Sequence, residues 1–558
     1  MTDTQRRTIT IALGLLLAAL IGLPGVFLGF DIADSGFYLT FYDNFYRAPA
    51  TVSYNFMYYM SGVLGGTLQE AFPAMGMAGM RVAGLALCLL SLAIVAAAHG
   101  KRLPAAGVAA GMVLVTAAFL PPLYTLSYDI FTVCFYCCAI ALIASGCDHN
   151  GSWWRLALAG AMLAMNTMSR IPNVLSLALM AAIIVHARRN GCTWRCAAVR
   201  CLWLLAGYLA AMAAIVAWMR AMGHWDLMCD NLLLLRSIAA DDSGTASHTT
   251  TQLITTQLKF YATLLWCAVK LGACAVALWA AGKLKMPRWA RWTLTAVALA
   301  GWVFFTARMR ILEPLWLMAA VACAFYWLRG KGKTSTLACA ALIMMVVMPL
   351  GSDGAYNNGA VIAWAAAPVA GAFWWRGRRR ALYLVFVAVC LVRMVTGGAY
   401  FDDGSLLHKT AAIHNPRAEH IFTTPERAAI VNDLLAGIAP HVHAGDTLMA
   451  YGSLPTVNYL TATRPFLGCS WVEQLSAATL EKSLSDHLGE SPLILRQKFS
   501  TLSGTWPPPS DEYLAAYDHE SPYQDNRKLD VLNRYMLVKG YRTIWENSYF
   551  ALYAPASH

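Results

Sequence analysis

The first four hundred residues alternate long apolar runs with short polar segments. Residues 9–30, 103–123 and 334–350 contain no charged side chain. Each run approaches the length of about 20 residues that a helix needs to cross the hydrocarbon core of a bilayer. The pattern therefore predicts a series of membrane-spanning helices.

Basic residues recur between these runs, at positions 6–7, 101–102, 155, 188–195, 283–288, 329–333 and 376–380. Such clusters are typical of cytoplasmic loops. Placing two spans between successive clusters predicts about thirteen helices and a cytoplasmic N-terminus. The predicted spans are residues 8–28, 75–98, 103–121, 128–146, 155–169, 172–187, 198–220, 257–280, 292–307, 312–328, 334–350, 360–375 and 381–397. An odd number of spans places everything after residue 400 on the extracytoplasmic side.

The chain after residue 400 changes character, because it carries Asp, Glu, Pro and Ser and has no spanning run. Its patterns predict helices over residues 425–436 and 526–539, strands near 446–451, 465–467 and 493–495, and a closing hairpin over 541–553. Alternating strands and helices indicate an α/β domain with a largely parallel sheet. We therefore expect a membrane module over residues 1–399 and a soluble extracytoplasmic domain over 400–558.

Composition agrees with this division. Apolar residues make up 58% of the chain and charged residues only 13%, whereas soluble domains carry about 25% charged residues. The net charge of +12 lies in the short loops rather than on one face of a soluble domain, which argues against nucleic-acid binding.

The first extracytoplasmic loop, residues 29–74, holds the most informative pattern. Asp31 and Asp34 follow the first span directly, and aromatic residues crowd the rest of the loop. A carboxylate at the membrane surface is costly unless it is solvated or paired. The two aspartates are either caps of a following short helix or acidic groups beside a groove. The aromatic residues predict interfacial helices, either as an aromatic belt or as the wall of that groove.

This layout resembles the GT-C superfamily of membrane glycosyltransferases, which includes protein O-mannosyltransferases, aminoarabinose lipid A transferases and oligosaccharyltransferases. Their acidic pair is often Asp-Glu or Asp-x-Asp, whereas here it is Asp31-x-x-Asp34. The run Asp34-Ser35-Gly36-Phe37-Tyr38 resembles the family's acidic residue followed by small and aromatic residues. The resemblance implies transfer of a sugar from a polyprenyl-phosphate donor to an extracytoplasmic glycan, lipid or protein, in a bacterial inner membrane. It implies Asp34 as the general base, with Asp31 as the second candidate and Tyr38 as a substrate contact.

A departing lipid phosphate calls for positive charge, which arginine supplies well. The arginines predicted on the extracytoplasmic side are few, and three stand out: Arg170, Arg308 and Arg310. Arg170 either binds phosphate or extends to the interface from the tip of a short hairpin. Arg308 and Arg310 either bind substrate or pair with Glu313 for structural reasons.

Four further residues are candidate substrate contacts. Asp129 either caps the fourth span or helps to build the site with Asp34. His248 lies in a polar loop, where exposure alone would explain it. Ser352 and Asn357 belong to a glycine-rich loop that forms either a plain turn or a nest of amides for phosphate. No cluster has clear metal-ligand spacing, so no cofactor is predicted with certainty, although Asp31, Asp34 and Asp129 could share a divalent ion.

Two other functions remain open. A transporter or flippase for lipid-linked or small substrates would also span the membrane many times, but such proteins often show inverted repeats, and none is visible here. A polysaccharide polymerase or ligase would act on lipid-linked glycans too, and we would expect it to depend on a large late loop. Here the large extracytoplasmic segment late in the chain is a C-terminal domain rather than a loop between spans.

Overall fold

A computed structural model describes residues 1–119, 124–148, 152–239, 250–351, 362–511 and 525–556. The longer helices before residue 400 are Asp3–Gly22, Asp34–Asn44, Tyr59–Ala71, Gly76–His99, Ala105–Ala118, Tyr128–Asp148, Trp153–Ser169, Met180–Arg189, Trp194–Ala221, Trp225–Ala239, Thr250–Lys283, Arg288–Arg308, Leu312–Arg329, Gly332–Val347, Ala363–Trp374 and Arg379–Thr396. Two long 3-10 segments, Pro49–Tyr58 and Ile171–Leu179, precede Tyr59–Ala71 and Met180–Arg189.

A helix lies at each of the thirteen predicted spans. In the described part of the chain, eight helical segments are both long and apolar enough to cross a membrane: Asp3–Phe27, Pro73–Arg102, Tyr128–Asp148, Ile171–Arg189, Trp194–Ala221, Ile254–Lys283, Arg288–Arg308 and Gly332–Leu350. The predicted class, a polytopic helical membrane protein with a C-terminal α/β region, is confirmed. The count of thirteen spans stays a prediction.

Small residues let these helices approach closely. A Cβ atom added to Gly111 would lie 1.8 Å from the carbonyl oxygen of Ala367, so Ala105–Ala118 and Ala363–Trp374 touch through their backbones. Glycine and alanine at helix contacts are typical of membrane proteins, where van der Waals packing replaces the hydrophobic effect between helices.

In its described residues, the C-terminal region contains seven strands and the helices Pro425–Ile438, Thr456–Thr461, Ala477–Asp486 and Asn526–Val538. The strands are β1 Ala411–Ala412, β2 Phe422–Thr423, β3 Thr447–Tyr451, β4 Arg464–Pro465, β5 Leu493–Gln497, β6 Arg542–Glu546 and β7 Phe550–Ala554. The five-stranded sheet has the order β4-β3-β5-β7-β6, and β1 and β2 pair separately. The predicted helices, strands and closing hairpin are all present.

The prediction of a largely parallel sheet is wrong for half of its pairs. Strand β3 is parallel to β4 and β5, but β7 is antiparallel to both β5 and β6. The physical reason is the short final turn. The side-chain oxygen of Asn547 accepts from the amides of Tyr549 and Phe550, at 2.9 and 2.7 Å, and a tight turn can join only antiparallel strands.

The first loop folds into helices Asp34–Asn44 and Tyr59–Ala71 around the 3-10 segment Pro49–Tyr58, so the predicted short helices are present. Their aromatic side chains are not a surface belt. Phe41, Phe45, Phe56 and Tyr59 are fully buried, and their rings contact one another at centroid distances of 5.3 to 6.3 Å. The loop therefore has a hydrophobic core of its own.

The C-terminal region packs directly on the start of this loop. The Gly29 amide donates to Phe422 O at 2.8 Å, and the Thr456 amide donates to Ile32 O at 3.0 Å. The Thr456 hydroxyl donates to Asp31 O at 3.1 Å. A Cβ atom on Gly36 would lie 2.0 Å from Thr456 Cα, so only glycine fits between the two segments.

A buried charge network reinforces this contact. The Asp402 carboxylate accepts from the Phe30 amide at 2.8 Å and lies 2.9 Å from Lys409 Nζ. Arg427 lies 3.6 Å from the same carboxylate and donates to Phe30 O at 3.0 Å. Removing one member of such a network leaves an uncompensated buried charge, which is strongly destabilising.

We expect Gly36→Ala to destabilise the protein by about 1–3 kcal/mol, because the added methyl group overpacks a backbone contact. Gly272→Ala is the matched control: Gly272 is also helical and has nothing within 4 Å of an added Cβ atom, so alanine should be neutral or stabilise by up to about 1 kcal/mol. Thermal unfolding of the two variants in detergent measures the difference. Equal midpoints would show that Gly36 is not a close-packed position.

Candidate active site

Asp31 shapes the backbone on which the site is built. Its two carboxylate oxygens accept from the Ala33 amide at 2.8 Å and from the Ser35 amide at 2.6 Å. These bonds satisfy amides that the helix Asp34–Asn44 would otherwise leave free at its start. Asp31 is almost completely buried, so its carboxylate serves the local fold in the manner of a helix cap.

Asp34 begins that helix and is half-buried. The Tyr400 hydroxyl donates to its Oδ2 atom at 2.5 Å. Burial and the negative charge of Asp31 raise the pKa of Asp34 to about 7, against the hydrogen bond from Tyr400 and with a smaller contribution from Asp129. A carboxyl group that changes charge near neutral pH can exchange a proton with a substrate.

Arg81 is a buried cation close to Asp31. Its guanidinium donates to Gly29 O at 2.9 Å, and its charge acts on Asp31 and Asp402. Burial raises the pKa of Asp31, and the amide donors and Arg81 oppose that rise. The residue is fully buried within the helix Gly76–His99. It therefore supplies a buried positive charge to both Asp31 of the first loop and Asp402 of the C-terminal region.

Tyrosine rings form one wall of the site. Tyr58 and Tyr128 stack in parallel at 4.5 Å, and Tyr38 meets the Tyr128 ring edge-on at 5.6 Å. Phe37, next to Tyr38, contacts Trp471 of the C-terminal region at 6.0 Å. The wall thus combines the first loop, the helix Tyr128–Asp148 and the C-terminal region. Flat aromatic faces of this kind suit an apolar chain or a sugar ring.

Arg170 and Asp129 complete the cluster. The guanidinium of Arg170 lies 5.7 Å from the centre of the Tyr128 ring, and its charge acts on Asp129. Arg170 is 6% exposed. Asp129 is half-buried and acts electrostatically on Asp34 and Tyr38. Its Oδ1 atom is buried without a hydrogen-bond partner among the described residues, so it has capacity for a further donor.

The structure thus brings together five of the residues singled out in the sequence: Asp31, Asp34, Tyr38, Asp129 and Arg170. Arg308 and Arg310 are exposed, and Arg308 lies over Phe304 at 4.4 Å. Within the described residues, the contacts of Arg308 do not reach the cluster. His248, Ser352 and Asn357 lie outside the described residues.

Sequence reasoning missed Tyr400, Arg81 and the Asp402 network. The segment Tyr400-Phe401-Asp402-Asp403 follows the last predicted span, as Asp31 and Asp34 follow the first, and that symmetry was a usable signal. Arg81 sits inside a predicted span, where an ionisable residue by itself indicates a functional or structural role.

The three aspartates do not form a ready metal site. Both oxygens of Asp31 already accept amide hydrogen bonds. Among the described residues, no three His, Cys, Asp or Glu side chains lie close enough to share an ion. A divalent ion at Asp34 and Asp129 would therefore need ligands from the substrate or from water.

No protein-family profile matches the sequence, and no curated protein shows a significant match. Among solved structures, the chain is similar to ArnT from Cupriavidus metallidurans bound to undecaprenyl phosphate, with 13% identity, a TM-score of 0.40 and coverage of 99% of this chain and 98% of that chain. The apo state of the same ArnT gives 12% identity and a TM-score of 0.41 over the same shares.

A third similar structure is the archaeal oligosaccharyltransferase AglB from Archaeoglobus fulgidus, in complex with an inhibitory peptide and a dolichol-phosphate. It gives 10% identity and a TM-score of 0.44, covering 89% of this chain and 70% of that chain. TM-scores below 0.5 support no inference about activity, which has to come from the site itself.

Tyr400→Phe should raise the pKa of Asp34 by about one unit or more. The tyrosine hydroxyl stabilises the ionised carboxylate, a hydrogen bond to a charged group contributes about 1.5–3 kcal/mol, and 1.36 kcal/mol corresponds to one unit. Infrared titration of the carboxyl band that disappears in Asp34→Asn measures the midpoint. The control is Tyr46→Phe, which changes a partly buried tyrosine in the loop that contains Asp34. It should leave the pKa of Asp34 unchanged. An unshifted or lower midpoint in Tyr400→Phe would contradict the assignment.

Proposed function

We propose that the protein is a membrane glycosyltransferase that moves a sugar from a polyprenyl-phosphate donor to an acceptor on the extracytoplasmic side. The observation that carries the proposal is Asp34. It is a half-buried carboxyl group with a pKa of about 7. It interacts electrostatically with Tyr38 and Asp129, and the charge of Arg170 acts on Asp129. Those are the groups that such a transfer needs: a base, a wall for the donor and a cation for its phosphate.

The donor would lie along the tyrosine wall. Tyr38, Tyr58 and Tyr128 face the cluster from three segments, and the apolar helices around them suit a polyprenyl chain. Arg170 would hold the phosphate, since a guanidinium binds phosphate with charge-assisted hydrogen bonds. Asp129 would orient Arg170 through their electrostatic interaction.

In the proposed reaction, the ionised Asp34 carboxylate takes the proton from an acceptor hydroxyl or amine. The acceptor atom then forms a bond to the anomeric carbon of the donor sugar. The bond between that carbon and the phosphate oxygen breaks, and the polyprenyl phosphate leaves with the electron pair. Arg170 stabilises the charge that develops on the phosphate, and a positioned base contributes about 10²–10⁴-fold.

Asp31 and Tyr400 would be positioning residues. Asp31 fixes the backbone before Asp34 through its two amide hydrogen bonds, and we assign it no contact with substrate. Tyr400 holds the Asp34 carboxyl group in place and lowers its pKa toward neutrality. This assignment gives the two aspartates different roles, which the sequence alone left open.

We further propose that the protein lies in a bacterial inner membrane, with a cytoplasmic N-terminus and the region after residue 400 outside the cytoplasm. The many-helix body supports membrane insertion, and the basic clusters support this orientation. The C-terminal region would then cover the site from the aqueous side, where it contacts residues 29–36.

The direct test is transfer of a labelled sugar from a polyprenyl-phosphate donor by the purified chain. We expect Asp34→Asn to reduce the transfer rate by about 10²–10⁴-fold, whereas Asp226→Asn, which changes an exposed aspartate, keeps it. In the native protein, the rate should rise with pH through about 7, because the base must be ionised. Full turnover by Asp34→Asn would remove Asp34 from the mechanism, and uptake of substrate without a covalent product would indicate a transporter.

Arg170→Gln should weaken binding of the donor by about 10- to 100-fold, the equivalent of one hydrogen bond to a charged group. The effect should appear in KM for the donor, with little change in KM for the acceptor. The matched control is Arg220→Gln, because Arg220 also lies over an aromatic ring, 5.2 Å from the centre of Trp225, but is exposed. An equal rise of KM for the donor and for the acceptor would indicate a structural role for Arg170.

A further inference from the structure

A cavity lies among the helices on the side that the basic clusters assign to the cytoplasm. It has a volume of about 630 Å³. Its walls come from the end of Thr250–Lys283, the middle of Leu312–Arg329, the end of Ala363–Trp374 and the start of Arg379–Thr396. The cavity therefore opens between helices that adjoin the lipid.

Four cationic side chains form one edge of this cavity: Lys283, Arg376, Arg378 and Arg379. None of the lining residues, all of which belong to the described part of the chain, is acidic. Arg376 and Arg379 repel each other electrostatically. Such a concentration of like charge attracts anions.

Two details show that the cations are held close to the helices. The Arg379 guanidinium lies 3.8 Å from the centre of the Phe373 ring. A Cβ atom on Gly282 would lie 2.0 Å from an Arg378 nitrogen, so the glycine leaves room for that guanidinium. The positive edge is therefore built into the packing of three helices.

The opposite walls of the cavity are apolar. Leu278 and Leu382 are buried there, while Trp279 and Val321 are 60% and 48% exposed. A ligand that fits both parts carries an anionic head and an apolar chain. Basic pockets between membrane helices on the cytoplasmic side recognise anionic lipid head groups in this way.

We propose that this cavity binds an anionic phospholipid of the cytoplasmic leaflet. Its phosphate would lie among Lys283, Arg376, Arg378 and Arg379, and one acyl chain would lie along Trp279 and Val321. The lipid would link the helices Thr250–Lys283, Leu312–Arg329 and Arg379–Thr396. It would thereby stabilise their packing.

This site is distinct from the candidate active site. The helix Arg379–Thr396 has 18 residues and is about 27 Å long at 1.5 Å per residue. Its first residue lies at the cationic edge, whereas Tyr400, which bonds Asp34, follows its last turn. The inference therefore stands whether or not the protein transfers sugar.

The test is native mass spectrometry of the purified full chain with added phosphatidylglycerol, phosphatidylcholine or inorganic phosphate. Phosphatidylglycerol should be retained and should raise the thermal unfolding midpoint, and the other two should do neither. Each lost charge should weaken retention by about five-fold. The variant Arg376→Gln/Arg378→Gln/Arg379→Gln should therefore lose most of the retained lipid. If this triple variant fails to fold, Lys283→Gln, which changes an exposed residue, should weaken retention of phosphatidylglycerol by about five-fold.

The matched control removes three exposed arginines of the same predicted side that do not line the cavity: Arg288→Gln/Arg291→Gln/Arg329→Gln. It should retain phosphatidylglycerol like the native protein. Equal losses in the two triple variants would reduce the effect to general surface charge and overturn the proposal. The same stabilisation by inorganic phosphate, or retention of phosphatidylcholine to the same extent, would also overturn it.

Discussion

The site depends on the fixed backbone of residues 29–36, which is held by the membrane helices and by the C-terminal region. The buried guanidinium of Arg81 donates to Gly29 O. Thr456 donates to Asp31 O and Ile32 O, and Gly36 fits against Thr456 with no room for a methyl group. Because the helix Asp34–Asn44 begins within this segment, the position of Asp34 is set by contacts far from it in sequence. The C-terminal region is therefore part of the site.

Burial creates the chemistry as well as the geometry. Asp31 and Asp34 are close and poorly solvated, and both carboxyl groups have raised pKa values. Two amides and Arg81 favour the ionised form of Asp31, whereas Asp34 has one short hydrogen bond from Tyr400. Two neighbouring carboxyl groups in different surroundings can thus take different roles, one in the local fold and one in proton exchange.

Sequence reasoning succeeded where the physical signal is local. Apolar runs and basic loops predicted a helix at every span, and the helix predicted from residue 425 does begin there, with Thr424 as its N-cap. Five site residues were also within reach, because Asp31, Asp34 and Tyr38 follow a span end directly. The position of Tyr400 and Asp402 after the last span was a usable signal, but their partners were not predictable: they meet the first loop across more than 360 residues, and no periodicity reports such a pairing. The closing hairpin was predicted, but the antiparallel pairing of β7 with β5 was missed, because it also joins segments that are distant in sequence.

The central claim is that the segment 29–36 holds Asp34 beside a binding site for a lipid-linked phosphate. A structure of the protein with a bound polyprenyl phosphate tests it most directly. We predict that the phosphate lies within about 4 Å of the Arg170 guanidinium, the range of an ion pair, with Asp34 facing the oxygen that would carry the sugar. A phosphate bound elsewhere, with Asp34 and Arg170 turned away from it, would contradict the account.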